Sequence, residues 1–231
     1  NTYLIGGNYN KMIISKVDTN GTILRNHLLP NQSQSKNNDY WIDVDDTWNV
    51  YITANFSWDM TLWTTTLSTA FSGVDGRWKP YQYNSTYSAF VAKLDTNGNW
   101  LWAKQWEGPW DEGHAIAVDG SGNSYIVGMM YTWAGRFWTT LLSTGNSFMA
   151  KLDTNGNWIW AKPIHSTEVY GIVSEDSGKI YIIGTVQWKK MFWTTLLEGY
   201  YDHKFVGTID ADGNWINVIW IGGINHNYIW G

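Results

Sequence analysis

The sequence contains no cysteine. This absence excludes disulfide bonds, zinc sites and iron–sulfur clusters held by thiolates, and catalysis by a thiol. The histidines do not have the spacing of a metal site either. They are His27, His114, His165, His203 and His226. We therefore expect neither a metal ion nor a cofactor.

Long apolar runs, basic runs and enzyme motifs are missing as well. Without a stretch of 18 apolar residues, the chain is predicted not to insert into a membrane. The net charge of −5 argues against nucleic acid as a partner. The nucleophile elbow, the P-loop and the dinucleotide fingerprint are absent. We therefore predict that the chain is not an enzyme.

A sustained 3.6-residue period is also lacking, so we expect almost no helix. The sequence is instead rich in internal repeats. The segment Phe90–Lys104 returns almost unchanged as Phe148–Lys162, and weaker copies surround Asp18 and Asp210. The marker residues Asp95, Asp153 and Asp210 lie 58 and 57 residues apart. Such a period is typical of solenoids, propellers and arrays.

Each repeat has the pattern of four short strands, which we call a to d. Its strands are rich in β-branched and aromatic residues, and Gly/Asn/Asp turns separate them, as expected of antiparallel hairpins. In the best copy they are predicted at 113–119, 124–129, 148–152 and 158–162. The predicted fold class is all-β, with four-stranded antiparallel blades.

The repeats predict a single domain, 1–231, of four blades. Blade 1 comprises 1–30 together with 227–231, blade 2 comprises 39–107, blade 3 comprises 113–165 and blade 4 comprises 169–222. Residues 2–7 match strand b, and 227–231 falls where strand a is due. The two ends would then share one blade and close a ring, which removes the free sheet edge. The insertion at 68–88 is predicted to be an exposed loop.

Several of these motifs resemble the SBBP-type β-propeller repeats of bacterial secreted and surface proteins. The matching strings are Phe-Val-Ala-Lys-Leu-Asp at 90–95, Gly-Asn-Trp-Leu-Trp-Ala-Lys at 98–104, Ile-Ala-Val-Asp-x-Ser-Gly-Asn-x-Tyr at 116–125 and Phe-x-Thr-Thr-Leu at 137–141. The resemblance covers nearly the whole chain. It implies a propeller and an extracellular or cell-surface location, but no particular activity. Because the family is usually seven-bladed, the chain is either a closed four-bladed ring or part of a longer array.

Tryptophan stands at several positions where the repeat pattern expects glycine. Trp48 aligns with Gly122 and Gly178 in the turn between strands a and b, and Trp41 aligns with Gly171. A turn that needs positive φ is costly for any residue except glycine. The same departure is predicted for Trp58, Trp63, Trp106, Trp110, Trp133, Trp138, Trp188 and Trp193.

Two explanations of these tryptophans remain open. The side chains are genuine and pack between blades, or they are glycines encoded by UGA, a codon that some bacterial codes read as glycine and others as tryptophan.

Two groups of acidic residues are candidate sites. The Asp-Thr-Asn-Gly-Asn segments resemble calcium loops, but a bidentate glutamate does not follow at loop position 12. We predict that they are hairpins whose aspartate caps the turn. Asp111, Glu112 and His114 are predicted to form a solvated loop end.

The predicted function is a non-catalytic extracellular binding or scaffold module for a glycan or protein ligand. The candidate binding residues are Trp63, Trp138 and Trp193, each of which precedes Thr-Thr in the b–c connections of blades 2, 3 and 4. Loops on a rigid scaffold commonly carry recognition. The simpler alternative is that Phe137 and Leu141 only tuck a hairpin against the blade. The alternative function is self-association into a filament or surface layer, and an enzyme with an unrecognised site is third.

Overall fold

The computed structural model describes a set of ranges separated by short gaps. They are 2–8, 11–29, 40–56, 59–62, 64–68, 70–74, 80–84, 88–108, 111–130, 135–137, 139–142, 146–165, 168–186, 190–192, 195–197 and 203–221. Within these ranges all regular elements are β-strands. None of the described residues belongs to a helix long and apolar enough to cross a membrane.

The described ranges contain 23 strands. In chain order they are β1 Thr2–Asn8, β2 Lys11–Val17, β3 Ile23–Leu29, β4 Tyr40–Val44, β5 Val50–Phe56, β6 Met60–Leu62, β7 Thr65–Leu67, β8 Ala70–Val74, β9 Pro80–Asn84, β10 Ser88–Leu94, β11 Trp100–Gln105, β12 Glu112–Val118, β13 Ser124–Met129, β14 Gly135–Phe137, β15 Thr140–Leu142, β16 Ser147–Leu152, β17 Trp158–Ile164, β18 Glu168–Ser174, β19 Ile180–Val186, β20 Lys190–Phe192, β21 Thr195–Leu197, β22 His203–Ile209 and β23 Trp215–Trp220.

The long strands form four antiparallel sheets. Sheet 1 has the order β1-β2-β3, sheet 2 the order β4-β5-β10-β11, sheet 3 the order β12-β13-β16-β17 and sheet 4 the order β18-β19-β22-β23. Each four-stranded sheet is a meander, because neighbours in the sheet are also neighbours in the repeat. The predicted all-β, antiparallel fold is confirmed, and sheets 2, 3 and 4 have the predicted four strands, whereas sheet 1 has three among the described residues.

Two predictions concern segments outside the repeat strands, 68–88 and 227–231. The insertion at 68–88 was predicted to be a loop, which is wrong in part, because β8 and β9 pair there as a hairpin. Its side chains fall outside the described part of the chain. The segment 227–231, predicted to complete blade 1, also lies outside the described residues.

The core consists of three apolar layers, each between two consecutive sheets. The layer between sheets 1 and 2 includes Met12, Ile14, Ile52 and Phe90. The next layers contain Ile126 with Phe148 and then Val127 with Phe205. Because sheet 2 lies between two neighbours, its central strands β5 and β10 are buried along their whole length. This explains why apolar residues occupy both faces of these strands rather than one, although four buried residues in them are polar: Thr53, Asn55, Ser88 and Lys93.

Tryptophan and lysine side chains hydrogen-bond consecutive sheets to one another. Trp102 Nε1 donates to the carbonyl of Thr154 at 3.0 Å, and Trp160 Nε1 donates to that of Ala211 at 3.2 Å. Lys151 Nζ donates to the Ala211 carbonyl at 3.2 Å, and Lys16 Nζ donates to that of Thr96 at 3.3 Å. In each case the acceptor lies in the last turn of the following sheet, so the pattern repeats along the chain.

Candidate functional site

The acidic turns are structural caps. In the turn after β10, Asp95 Oδ1 accepts hydrogen bonds from the backbone N–H groups of Asn97 and Asn99, each at 2.8 Å. Asp95 Oδ2 accepts a third from the Asn99 side chain at 2.8 Å. The same bonds recur at Asp45, Asp119, Asp153 and Asp210. The prediction of a capped hairpin is confirmed.

These hydrogen bonds change how the aspartates titrate. Burial raises the pKa of Asp95, but the bonds from Asn99 and Asn97 together outweigh it and hold the pKa below its ordinary value of 3.8. The pKa values of Asp153 and Asp210 are lowered by the same balance. Within the described ranges, the His, Asp and Glu side chains form no group of three that could hold a metal ion.

Trp48 lies at the glycine position of such a turn. Its φ is 64°, and it is the one residue other than glycine with positive φ among those described. Its backbone N–H donates to the Asp45 carbonyl at 2.8 Å, as Gly122 donates to that of Asp119. The predicted alignment of Trp48 with Gly122 is therefore confirmed by the backbone geometry.

Trp106 does not fit the prediction of a loop position that favours glycine. Its side chain is fully buried. The indole stacks on Phe137 with ring centroids 5.7 Å apart and meets Phe148 and Trp158 edge-on. The equivalent position in sheet 3 is Ile164, which is also buried. Trp106 is thus a core residue. The sequence could not reveal this, because its aromatic neighbours lie far away along the chain.

The cluster at 111–114 is buried rather than solvated, contrary to the prediction. Asp111 and His114 lie in the interior, and His114 sits at a bulge in β12. His114 Nδ1 lies 3.0 Å from the Val169 carbonyl oxygen, and Nε2 lies 3.1 Å from Glu112 Oε2. Burial disfavours the charged ring, but these partners outweigh it and raise the pKa of His114. His114 thus joins β12 to β18, and these two contacts use both of its ring nitrogens.

The three candidate binding residues Trp63, Trp138 and Trp193 lie outside the described residues. The strands around them form three similar hairpins, β6–β7, β14–β15 and β20–β21. Pairing of Phe137 with Thr140 leaves a two-residue connection, and the other two hairpins have the same register.

The base of the middle hairpin has a structural role. Phe137 is buried, as the tucking alternative predicted, whereas Leu141 is exposed and Leu142 is the second buried residue. The backbones of Arg136 and Glu107 also exchange two hydrogen bonds, of 2.7 and 2.8 Å. The hairpin is thus anchored both to its own sheet and to the end of sheet 2.

A cleft of about 480 Å³ opens between sheets 3 and 4. It is lined by Met149, Lys162, Pro163, His165, Gly213, Asn214 and Trp215. Trp215 is partly buried and His165 is exposed. Lys162 Nζ donates to the Asp212 carbonyl at 2.6 Å and to Asn214 Oδ1 at 3.1 Å. The cleft thus combines an aromatic residue with a fixed cation. Sequence reasoning missed it, because its residues come from two repeats.

A second cavity lies between sheets 1 and 2. It has about 20 Å³ of free space and is lined by Tyr3, Lys16, Arg25 and His27 among others. That space suits a water molecule rather than a ligand. Of the two cavities, the cleft between sheets 3 and 4 is the better candidate site. The chain matches no protein-family model and no curated protein.

Proposed function

We propose that the four sheets are consecutive blades of an SBBP-like β-propeller repeat array that acts outside the cell as a non-catalytic glycan-binding module. The antiparallel meander in each sheet and the face-to-face order of the sheets support the propeller assignment. The extracellular setting follows from the resemblance to SBBP repeats.

The observation that carries the binding function is the cleft at Lys162, His165 and Trp215. Its volume lies in the range of ligand pockets, which combine apolar walls with a few fixed polar groups. An indole offers a flat apolar surface for the face of a sugar ring. Asn214 and His165 add hydrogen-bonding groups beside it.

Lys162 favours an acidic sugar. An ammonium group has three N–H donors, and the two bonds to Asp212 and Asn214 use two of them. The third donor can bind a carboxylate in a charge-assisted hydrogen bond. We therefore favour a glycan that contains a uronic acid over a neutral one.

The test is a glycan array with neutral and uronate-containing glycans, followed by calorimetric titration of the strongest binder. Lys162→Gln and His165→Ala should each weaken binding at least about tenfold, with circular dichroism showing that both variants stay folded. The matched control is Lys104→Gln, at the equivalent position in sheet 2. A blank array with folded protein, or an equal loss in the Lys104 variant, would contradict the cleft proposal.

Trp138 and Trp193 are proposed as further ligand contacts. If they bind the ligand, Trp138→Ala and Trp193→Ala weaken binding while the protein stays folded. If both variants bind as the wild type does, or both unfold, these residues are not part of a binding surface.

A further inference from the structure

Most of the exposed large apolar side chains fall into two classes that the repeat separates. Leu24, Leu101, Ile159 and Ile216 occupy one equivalent position in the four sheets and are exposed in all of them. That position belongs to the outer edge of the array. Other apolar residues are exposed in an end sheet alone, although their equivalents in inner sheets are buried.

Sheet 1 carries the first set of such residues, on the side away from sheet 2. Leu4 is 55% exposed, whereas Ile52, Ile126 and Ile182 at the equivalent position are at most 1% exposed. We call this surface the trailing face, and it comprises Leu4, Ile13, Ile23 and Leu28. Ile23 and Leu28 are 58% exposed. In sheets 2, 3 and 4 the same side packs on the preceding sheet.

Sheet 4 carries the complementary set, on the side away from sheet 3. Val173 is 60% exposed, whereas its equivalent Ala117 in sheet 3 is 2% exposed. Ile183 is 37% exposed, and its equivalent Val127 is fully buried against sheet 4. We call this surface the leading face, and it comprises Val173, Tyr181, Ile183, Val206 and Ile219. Pairing across β19, β22 and β23 places Ile183, Val206 and Ile219 in one row.

The chain itself shows what covers such faces. At each of its three internal junctions, the leading face of one sheet packs on the trailing face of the next. The natural occupant of either free face is therefore the opposite face of the same repeat. Exposed apolar patches of this kind mark interaction sites.

The last turn of sheet 1 is also free to receive a neighbour. At inner junctions the glycine of this turn touches the preceding sheet: a Cβ on Gly156 would meet Trp102, and one on Gly213 would meet Trp160. Nothing lies within 4 Å of the corresponding position at Gly21. Sheet 4 has Thr208 and Asn217 at the places of Lys151 and Trp160, so a hydrogen-bond donor is kept at both.

We propose that the leading face of one molecule docks on the trailing face of a second copy, so that the chain self-associates head to tail. The contact is heterologous, because two different faces of the same chain meet. Such contacts build rings or open filaments rather than closed symmetric dimers. The proposal does not depend on glycan binding, and neither face includes a cleft residue that is altered in the glycan test.

The experiment uses two complementary variants and light scattering after size-exclusion chromatography. Variant L carries Val173→Lys and Ile183→Lys, and variant T carries Leu4→Lys and Ile23→Lys. The substitutions lie at exposed positions, so both variants should fold with wild-type circular dichroism. We expect the wild type to grow in mass with concentration, while each variant alone stays monomeric.

The decisive sample is an equimolar mixture of the two variants. Variant L keeps a trailing face and variant T keeps a leading face, so the mixture should form dimers and stop there. Ile159→Lys, at the outer-edge position, is the matched control and should associate like the wild type. A monomeric wild type, a mixture that stays monomeric, or a single variant that still dimerises would each overturn the proposal.

Discussion

Trp48 adopts a backbone conformation that glycine adopts in the other six turns of this type. Their φ values run from 74° to 83°, and Trp48 has 64°. The left-handed region costs about 1–2 kcal/mol for a residue with a Cβ. The indole regains little of this cost, because it is 41% exposed.

We expect Trp48→Gly to raise the free energy of unfolding by about 0.5–1 kcal/mol, after allowance for the greater freedom of glycine in the unfolded chain. Urea denaturation measures the change. Gly21→Ala is the matched control, because its φ is 83° and nothing lies near the added Cβ, so it should lose a similar amount. A stability loss in Trp48→Gly would mean that indole contacts outweigh the strain.

The two explanations of the tryptophan excess make different predictions for individual residues. Trp48 fits a glycine encoded by UGA, because its backbone needs positive φ. Trp106 fits a genuine tryptophan, because its ring fills the space among Phe137, Phe148 and Trp158. Peptide mass spectrometry of the native polypeptide at positions 48 and 106 distinguishes the two explanations residue by residue.

At the scale of the element, the capped turns predict sensitivity to acid. The aspartates at 45, 95, 153 and 210 have a pKa below their ordinary value of 3.8 in the folded chain. Their carboxylates therefore stabilise the fold fully above that value, and the contribution is lost as the pH falls from it through the lower pKa of the folded state. Because the aspartates are exposed and screened by solvent, each adds little to the free energy of unfolding. The effect therefore comes from the number of turns.

We expect the midpoint of urea unfolding to fall between about pH 5 and pH 2.5. Asp153→Asn should reduce this difference, because the amide does not titrate. Asn155→Ala, in the same turn, is the control and should leave the difference unchanged, because Asn155 donates to Asp153 through its backbone N–H. A midpoint that stays constant over this range would show that the turn carboxylates add nothing to stability.

The repeat strands could be predicted from the sequence, whereas the hairpins between them could not. The Gly-Ser-Gly-Asn turn at 120–123 precedes β13, which begins and ends where the pattern placed it, at Ser124 and Met129. The three-residue strand β14 has no such pattern. It forms because Phe137 enters a pocket of aromatic rings and Arg136 pairs with Glu107. Both contacts join residues that are distant in the sequence.

The candidate site could not be predicted for the same reason, since its residues are distant in the sequence. Lys162 and Trp215 belong to different repeats, and the cleft exists because β17 and the turn before β23 lie side by side. The sequence predicted both strands but not the space between their sheets. It also missed the burial of His114, because the Val169 carbonyl reaches it from the next repeat.

In the described part of the whole molecule, the four sheets form a linear series with three interfaces, each between consecutive sheets. Stability in such arrays is close to a sum of unit terms and nearest-neighbour terms. Sheets 2 and 3 have neighbours on both faces, whereas sheets 1 and 4 each have one covered and one exposed face. Sheet 1 also has three strands among the described residues.

Hydrogen exchange should therefore be graded along the chain. In dilute solution we expect amides of β2 and β22 to exchange at least about tenfold faster than those of β10 and β16, because an end sheet opens by breaking a single interface. Mass spectrometry of peptides from the four strands measures this. If molecules dock head to tail, raising the protein concentration should slow exchange in the two end sheets and leave β10 and β16 unchanged. Uniform protection at every concentration would mean that the sheets open together, which would contradict the linear series.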